Sequence, residues 1–296
     1  MHNSFILFCA LNAVKGMVIT MKKIDIHAYV TAFPQYALPH KDGSRFMSAD
    51  EQKEFQKKLN IEKSVIVSIL APEGQWQKLG SENNKYVVVQ NPEAFMWFCG
   101  MDPRMGRFAD DTEFDPLFEP LMELGACGVG EISPSIYIDD HMTENFLAYC
   151  EKYNMPALVR YTYCYGSGAG TFDDAGLSRT AALLKRHPKL KFIGCYEGVW
   201  SEFKKALPDL MRSCDNFCID TAGKFASEEL MSDADYTAKF LNEFADRVYY
   251  GTGAYSANDN YPFELDKFLT ELVESGKLDA TAYERIIRKN AEKLLF

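Results

Sequence analysis

The stretch KKIDIHAYV, Lys22 to Val30, carries a carboxylate at Asp25, an imidazole at His27 and a phenol at Tyr29. An Asp-x-His-x-His run at the end of a buried strand is a common opening for a metal site, because imidazole and carboxylate are metal ligands. Here Tyr29 stands where the second imidazole would be. Further along, Glu131 ends the apolar run GVGE, Arg160 and Tyr161 end NMPALVRY, and Tyr196 and Glu197 end FIGCYE. These types suit proton transfer and anion binding. His27, Tyr29 and Tyr196 are candidate acids or bases, since a phenol beside a guanidinium loses its proton more readily. Arg160, Glu131, Tyr161 and Glu197 are candidate substrate-binding residues.

Bland readings stand beside these. His27 also fits a hydrogen-bonded filler next to Asp25 or a leftover metal ligand, and the tyrosines also fit polar-tipped pocket walls. Arg160 needs a negative partner if it faces a closed cavity, because an unpaired buried charge is very costly. Glu131 or Glu197 would supply that partner internally. A substrate carboxylate or phosphate would supply it through the guanidinium fork. Cys164 and Cys195 raise a thiol nucleophile without an identifiable base. The run RYTYCYGSGAGTFDD after Arg160 reads as an aromatic lid or as an ordinary loop.

The elements that must position these residues follow from periodicity. Near-continuous apolar runs at 22–30, 64–70, 94–101, 126–132, 155–161, 191–197, 217–222 and 247–253 read as strands of a covered parallel sheet. Helical periods fill the gaps. Ser48-x-x-Glu51 is a capping box opening a helix near 49–60. Asp115-Pro116 reads as an N-cap with a proline at the first helical position, closed by Gly125. Thr281-x-x-Glu284 reads as the start of a last helix with Tyr283, Ile286, Ile287, Ala291, Leu294 and Leu295 on one face. Eight strands each followed by a helix predict an α/β fold, a single (β/α)8 TIM barrel spanning 21–296. A doubly wound open sheet is the alternative, and no GxGxxG or GxxxxGK[ST] run supports it. In a barrel the chemistry sits at the carboxyl ends of the strands. That puts His27, Tyr29, Glu131, Arg160, Tyr196, Glu197, Asp220 and Gly253 around one mouth.

From KIDIHAYV through NNKYVVVQNPEAFMWFCGMDP, GACGVGEI, NMPALVRY, HPKLKFIGCYEGVW and RVYYGTG to YERIIRKNAEKLL, the chain resembles the amidohydrolase-related family. That family (the second amidohydrolase family) contains metal-dependent hydrolases and non-oxidative decarboxylases. The resemblance implies a barrel and hydrolase or lyase ancestry. It also implies a ligand set from which this chain departs. The family pattern D-x-H-x-H keeps Asp25 and His27 but has Tyr29 in place of its second His. The fifth-strand His is Arg160, the sixth-strand His is Tyr196, and the eighth-strand Asp is Gly253. Asp259 offers a distant substitute carboxylate. A zinc site needs three or four donors converging at about 2.0–2.3 Å, and a guanidinium has no lone pair to give. No metal ligand and no cofactor are therefore expected.

The net charge of −10 and pI near 5.1 argue against a nucleic-acid partner. Lys57-Lys58 and Lys204-Lys205 sit beside acidic residues and read as solvated faces. The eight cysteines include no CxxC and several lie in apolar runs, so a reduced, cytoplasmic protein is expected. Residues 1–20 read as an upstream extension before a second start at Met21, or as a weak leader; their apolar run Phe5 to Val14 is too short to span a bilayer. No membrane segment is expected, and a homo-oligomer is left open. Three functional readings follow. The first is a metal-free hydrolase or lyase acting on a small carboxylated, cyclic compound. The second is a non-catalytic small-molecule binder (a pseudoenzyme). The third is a metalloenzyme with relocated ligands.

Overall fold

Among the described residues eight short strands alternate with helices, their ladders are parallel, and two hydrogen-bonded seams join the ladders. The computed structural model describes residues 21–36, 39, 43–70, 79–105, 109, 111–162, 170–195, 200 and 204–296. The strands are β1 (Lys23–Ala28), β2 (Ile61–Ile66), β3 (Phe95–Trp97), β4 (Val129–Ile132), β5 (Ala157–Arg160), β6 (Phe192–Cys195), β7 (Phe217–Asp220) and β8 (Val248–Tyr249). They form one ladder β1-β2-β3 and another β4-β5-β6-β7-β8. At one seam Cys99 bridges Val129, with Cys99 N–H donating to the Gly128 carbonyl at 2.8 Å and Gly130 N–H to that of Cys99 at 3.0 Å. At the other, Ile26 N–H donates to the Tyr250 carbonyl at 3.0 Å and Gly253 N–H to that of His27 at 2.8 Å. The fold is the (β/α)8 arrangement expected from the strand count.

Two apolar layers hold it. Inside the ring, Ile24, Ile26, Val65, Val67, Leu158 and Ile193 pack together. Outside it, strand residues such as Val129, Val159, Phe192 and Phe217 pack against helix residues including Phe118, Phe146 and Leu183. Such alternation buries both faces of each strand, which is why the runs read as continuously apolar.

Helix boundaries separate what local chemistry dictates from what packing decides. Ser48 accepts from Glu51 N–H while the Glu51 side chain accepts from Ser48 N–H, so the expected capping box opens Ala49–Lys58. Gly125, at φ +91°, follows Asp115–Glu123, the left-handed step a helix end favours. Two expected caps are corrected. Phe114 caps that helix, so Asp115 is already its first residue. Asp279, not Thr281, precedes Ala280–Glu284, and no side-chain cap bond forms there. The second strand begins at Ile61 rather than 64, because the polar Glu62-Lys63 pair lies on exposed and half-exposed positions that apolar periodicity does not register.

The β8–β1 seam has a polar lock. Asp25 is fully buried and accepts from Thr252 N–H at 3.0 Å, Thr252 Oγ1–H at 2.7 Å and His27 N–H at 2.9 Å. Burial raises its pKa to about 6, against the pull of those bonds. Thr252→Val keeps the shape and removes one donor. Its expected cost is about 1–3 kcal/mol in urea unfolding, larger above pH 6, where Asp25 is ionised, than below it.

Candidate active site

The carboxyl ends of β1, β4, β5 and β7 deliver five side chains to one buried cluster. A register irregularity in the β1–β2 pairing falls between Asp25 and Ala28, and His27 sits inside it with its N–H tied to the Asp25 carboxylate. Glu131 is placed by backbone: its N–H donates to the Ser68 carbonyl and Ser68 N–H donates to that of Gly130, both at 2.7 Å. Asp220 ends β7. Its Oδ1 accepts from Ala222 N–H at 3.2 Å, and its carbonyl accepts from Trp200 Nε1–H at 2.8 Å.

These strands converge on the His27 ring. Nδ1 lies 2.7 Å from Asp220 Oδ2. Nε2 lies 2.9 Å from the Tyr29 hydroxyl and 3.1 Å from Glu131 Oε1. The Tyr29 hydroxyl donates to the same Glu131 oxygen at 2.7 Å. Arg160 Nη1 stands 3.5 Å from the other oxygen, Glu131 Oε2. His27, Asp220, Tyr29 and Glu131 are all at most 1% exposed, whereas the Arg160 side chain is 26% exposed. The cluster is thus closed at its base and reaches solvent through a guanidinium.

The electrostatics follow from this packing. Burial by itself disfavours a charged imidazole, but the charge and hydrogen bond of Asp220, joined by those of Glu131, outweigh it and push the His27 pKa up to about 10. Burial also opposes ionisation of Glu131, yet Arg160, His27 and Tyr29 together hold it below the ordinary glutamate value. Asp220 is raised by burial, with His27 pulling the other way. At neutral pH, His27 is therefore an imidazolium whose two N–H groups face carboxylates. It holds its proton at neutral pH and has no free lone pair with which to take another.

His27, Tyr29, Glu131 and Arg160 are brought together as the chain's pattern predicts. Tyr161 is not among them: it turns into the outer core, where its hydroxyl lies 2.5 Å from Thr180 Oγ1, and burial raises its pKa. The reason is strand alternation, which sends neighbours of Arg160 to the opposite face. Tyr196, Glu197, Cys164 and the centre of the glycine-rich run lie outside the described residues. Cys195 is buried beside the cluster with its thiol pushed well above the ordinary value by burial, which leaves no thiolate for attack. Asp259 accepts N–H groups of Tyr255 and Ser256 within its own turn. The role of Asp220 goes unassigned in the sequence despite a clear signal, an acid ending the apolar run FCID. Ser68 and Thr252 act through backbone and through Asp25, and carry no sequence signal.

Among the described residues, ligating atoms of His27, Glu131 and Cys195 lie within 4.8 Å of one another. These donors fit a metal poorly. Both His27 nitrogens are engaged, Cys195 is a neutral thiol, and the Arg160 cation already faces Glu131. Gly253 adds no donor. At φ +59°, a Cβ there would come within 2.6 Å of Gly223 N.

Parallel strands alternating with helices, with acid, imidazole and guanidinium groups converging at the carboxyl ends, define a protein of the (β/α)8 class. Residues 72–296 match the family described as Amidohydrolase, and the chain belongs to that family. No curated protein matches the sequence. The fold is similar to that of an uncharacterized TIM-barrel protein from Bordetella bronchiseptica, at 18% identity and TM-score 0.66 over 93% of this chain and 98% of that one. It is also similar to a probable 2-pyrone-4,6-dicarboxylic acid hydrolase from Acinetobacter baumannii with citric acid bound, at 14% identity and TM-score 0.62 over 93% and 99%. A 2,6-dihydroxybenzoate decarboxylase complexed with 2,6-dihydroxybenzoate aligns at 17% identity and TM-score 0.60 over 93% and 98%, and a 2,6-dihydroxybenzoate decarboxylase from Rhizobium at 17% identity and TM-score 0.59 over 93% and 98%. No helix among the described residues is long and apolar enough to cross a membrane.

The His27 cation has a measurable signature. Its folded pKa of about 10 lies above the ordinary 6.5, so its contribution to stability is complete below about pH 6.5 and is lost as pH rises through about 10. In 15N NMR of histidine-labelled protein, one of the five imidazoles is expected to stay doubly protonated through pH 8. Glu131→Gln is expected to lower that titration. An imidazole set that is fully neutral by pH 8 contradicts this electrostatic picture.

Proposed function

We propose that this amidohydrolase-family chain is a hydrolase or lyase that acts on a small carboxylated, cyclic substrate without a bound metal. One observation carries the reading: the position that would receive a cation is occupied by an ion-paired network in which His27 is paired to Asp220 and Glu131, and Arg160 Nη1 stands 3.5 Å from Glu131 Oε2, a buried oxygen with no hydrogen bond. Two protonated bases balance two carboxylates, so a divalent ion would have to displace bonds already made and meet a guanidinium. The closed backbone at Gly253 supports the same reading, since no carboxylate fits there without a backbone shift.

Proton transfer follows from the geometry. Tyr29 donates to Glu131 and lies next to His27 Nε2. When the phenol gives its proton to substrate, the His27 Nε2–H passes one to the phenolate, and Asp220 holds the ring in position throughout. The reverse transfer restores the imidazolium as product leaves. Arg160, partly exposed above Glu131, holds the substrate carboxylate against the cluster by a charge-assisted bond. The neighbouring folds support this substrate class, for one is named as a pyrone-dicarboxylic acid hydrolase and another as a dihydroxybenzoate decarboxylase.

Burial of His27 and Tyr29 favours a second reading, a non-catalytic binder of the same compounds, in which Arg160 captures the anion and no proton moves. Turnover separates the two. With a panel of carboxylated lactones and phenolic acids, the catalytic reading expects product formation that falls by about 10²–10⁴-fold in Tyr29→Phe, with binding retained. Ligand binding without product in the unaltered protein selects the binder.

Arg160→Ala is expected to weaken ligand binding by about 2–5 kcal/mol by calorimetry if the guanidinium pairs with a desolvated anion. An unchanged affinity removes Arg160 from the site. Metal analysis of protein purified without chelator is expected to give substoichiometric zinc, manganese and iron. A full equivalent that is lost in His27→Ala overturns the metal-free reading.

A further inference from the structure

At the opposite mouth of the barrel, under the amino ends of β6, β7 and β8, lies a cavity of about 410 Å3. That volume is within the roughly 300–1,000 Å3 typical of small-molecule sites. Its walls have two chemistries. Ile193, Cys218, Tyr249 and Leu294 give an apolar floor, and Ile193 and Tyr249 belong to the inner barrel core. Lys189, Lys191 and Lys293 line the same cavity. None of these three ammonium groups has an ion-pair partner among the described residues. The remaining charges at the rim are largely occupied with one another: Arg247 donates to the carbonyls of Met211 and Cys214 and lies 3.9 Å from Asp246. Against Lys189, Lys191, Lys293 and Arg247 the lining holds two acids, Asp215 and Asp246, a local surplus of positive charge in a chain of net charge −10.

We propose that this lower mouth binds a small organic anion, an apolar or aromatic body carrying a carboxylate or comparable acid group. The body would cover Ile193, Tyr249 and Leu294 while the acid group faces the lysines. An inorganic anion alone would satisfy the ammonium groups but leave the apolar floor wet, so the pairing of floor and rim selects an amphipathic ligand. The site is distinct from the upper cluster yet close to it along the chain. Ile193 stands two residues before Cys195 on β6, and Cys218 stands two residues before Asp220 on β7. Two residues of strand span roughly 7 Å. Chemistry in this fold belongs to the carboxyl ends, so the lower ligand is a bound effector rather than a substrate.

The full chain is titrated calorimetrically with 2-naphthoate, with its neutral counterpart 2-naphthamide, and with inorganic phosphate. Expected are saturable one-site binding of 2-naphthoate, naphthamide binding weaker by about tenfold or more, and no measurable heat from phosphate. Lys191→Glu combined with Lys293→Glu, at positions outside the core, is expected to weaken 2-naphthoate by about tenfold. Arg160→Ala is expected to leave it unchanged. The proposal is overturned by an absence of saturation, by naphthamide or phosphate binding as tightly as naphthoate, or by insensitivity to the lysine reversals. It is also overturned if Arg160→Ala abolishes binding, which would place the ligand at the upper mouth instead.

Discussion

Three strands meet at the imidazole of His27. Asp220 from β7 holds one nitrogen, and Tyr29 from β1 and Glu131 from β4 hold the other. The partners are separated by as many as 193 residues in sequence, so the clamp exists only when the barrel is closed. It is also why the ring carries a proton at neutral pH, for two carboxylates in a dry interior favour the imidazolium more than burial disfavours it.

Burying the charges of His27, Glu131 and Asp220 is tolerable only if each is matched. That requirement links positions that look independent along the chain. Glu131 would be an isolated anion without Arg160 and His27, and the His27 cation would lose its strongest support without Asp220. Removing a partner leaves a buried member of the cluster with an uncompensated desolvation cost. On the proposed metal-free reading, the departures from the family pattern at Tyr29, Arg160 and Gly253 belong together, as a change from ligands converging on a cation to organic cations and anions facing each other.

The scaffold serves this site by fixing backbone before side chains. Ser68 accepts from Glu131 N–H and donates to the Gly130 carbonyl, so the β4 backbone that carries the carboxylate is fixed by main-chain bonds. Asp25 does the same for His27 and Thr252 at the β8–β1 seam. The same strands run down to the cavity at the other mouth, with Ile193 below Cys195 and Cys218 below Asp220, which gives the barrel two chemically different ends on one interior face.

The barrel was legible in the chain because most strand positions, buried on both faces, are apolar, and because helix starts such as Ser48-x-x-Glu51 are local hydrogen-bonding devices. The candidates His27, Tyr29, Glu131 and Arg160 were legible for a related reason: polar groups that end apolar runs stand out. Which way a residue faces was not. Tyr161 follows Arg160 by one position, and strand alternation turned it into the outer core. The proton on His27, the pairing of Arg160 with Glu131, and the service of Asp220, Ser68 and Thr252 were decided by tertiary structure alone. Charge state and hydrogen-bond partnership depend on distances between strands far apart in sequence, and those distances are set only when the ring closes.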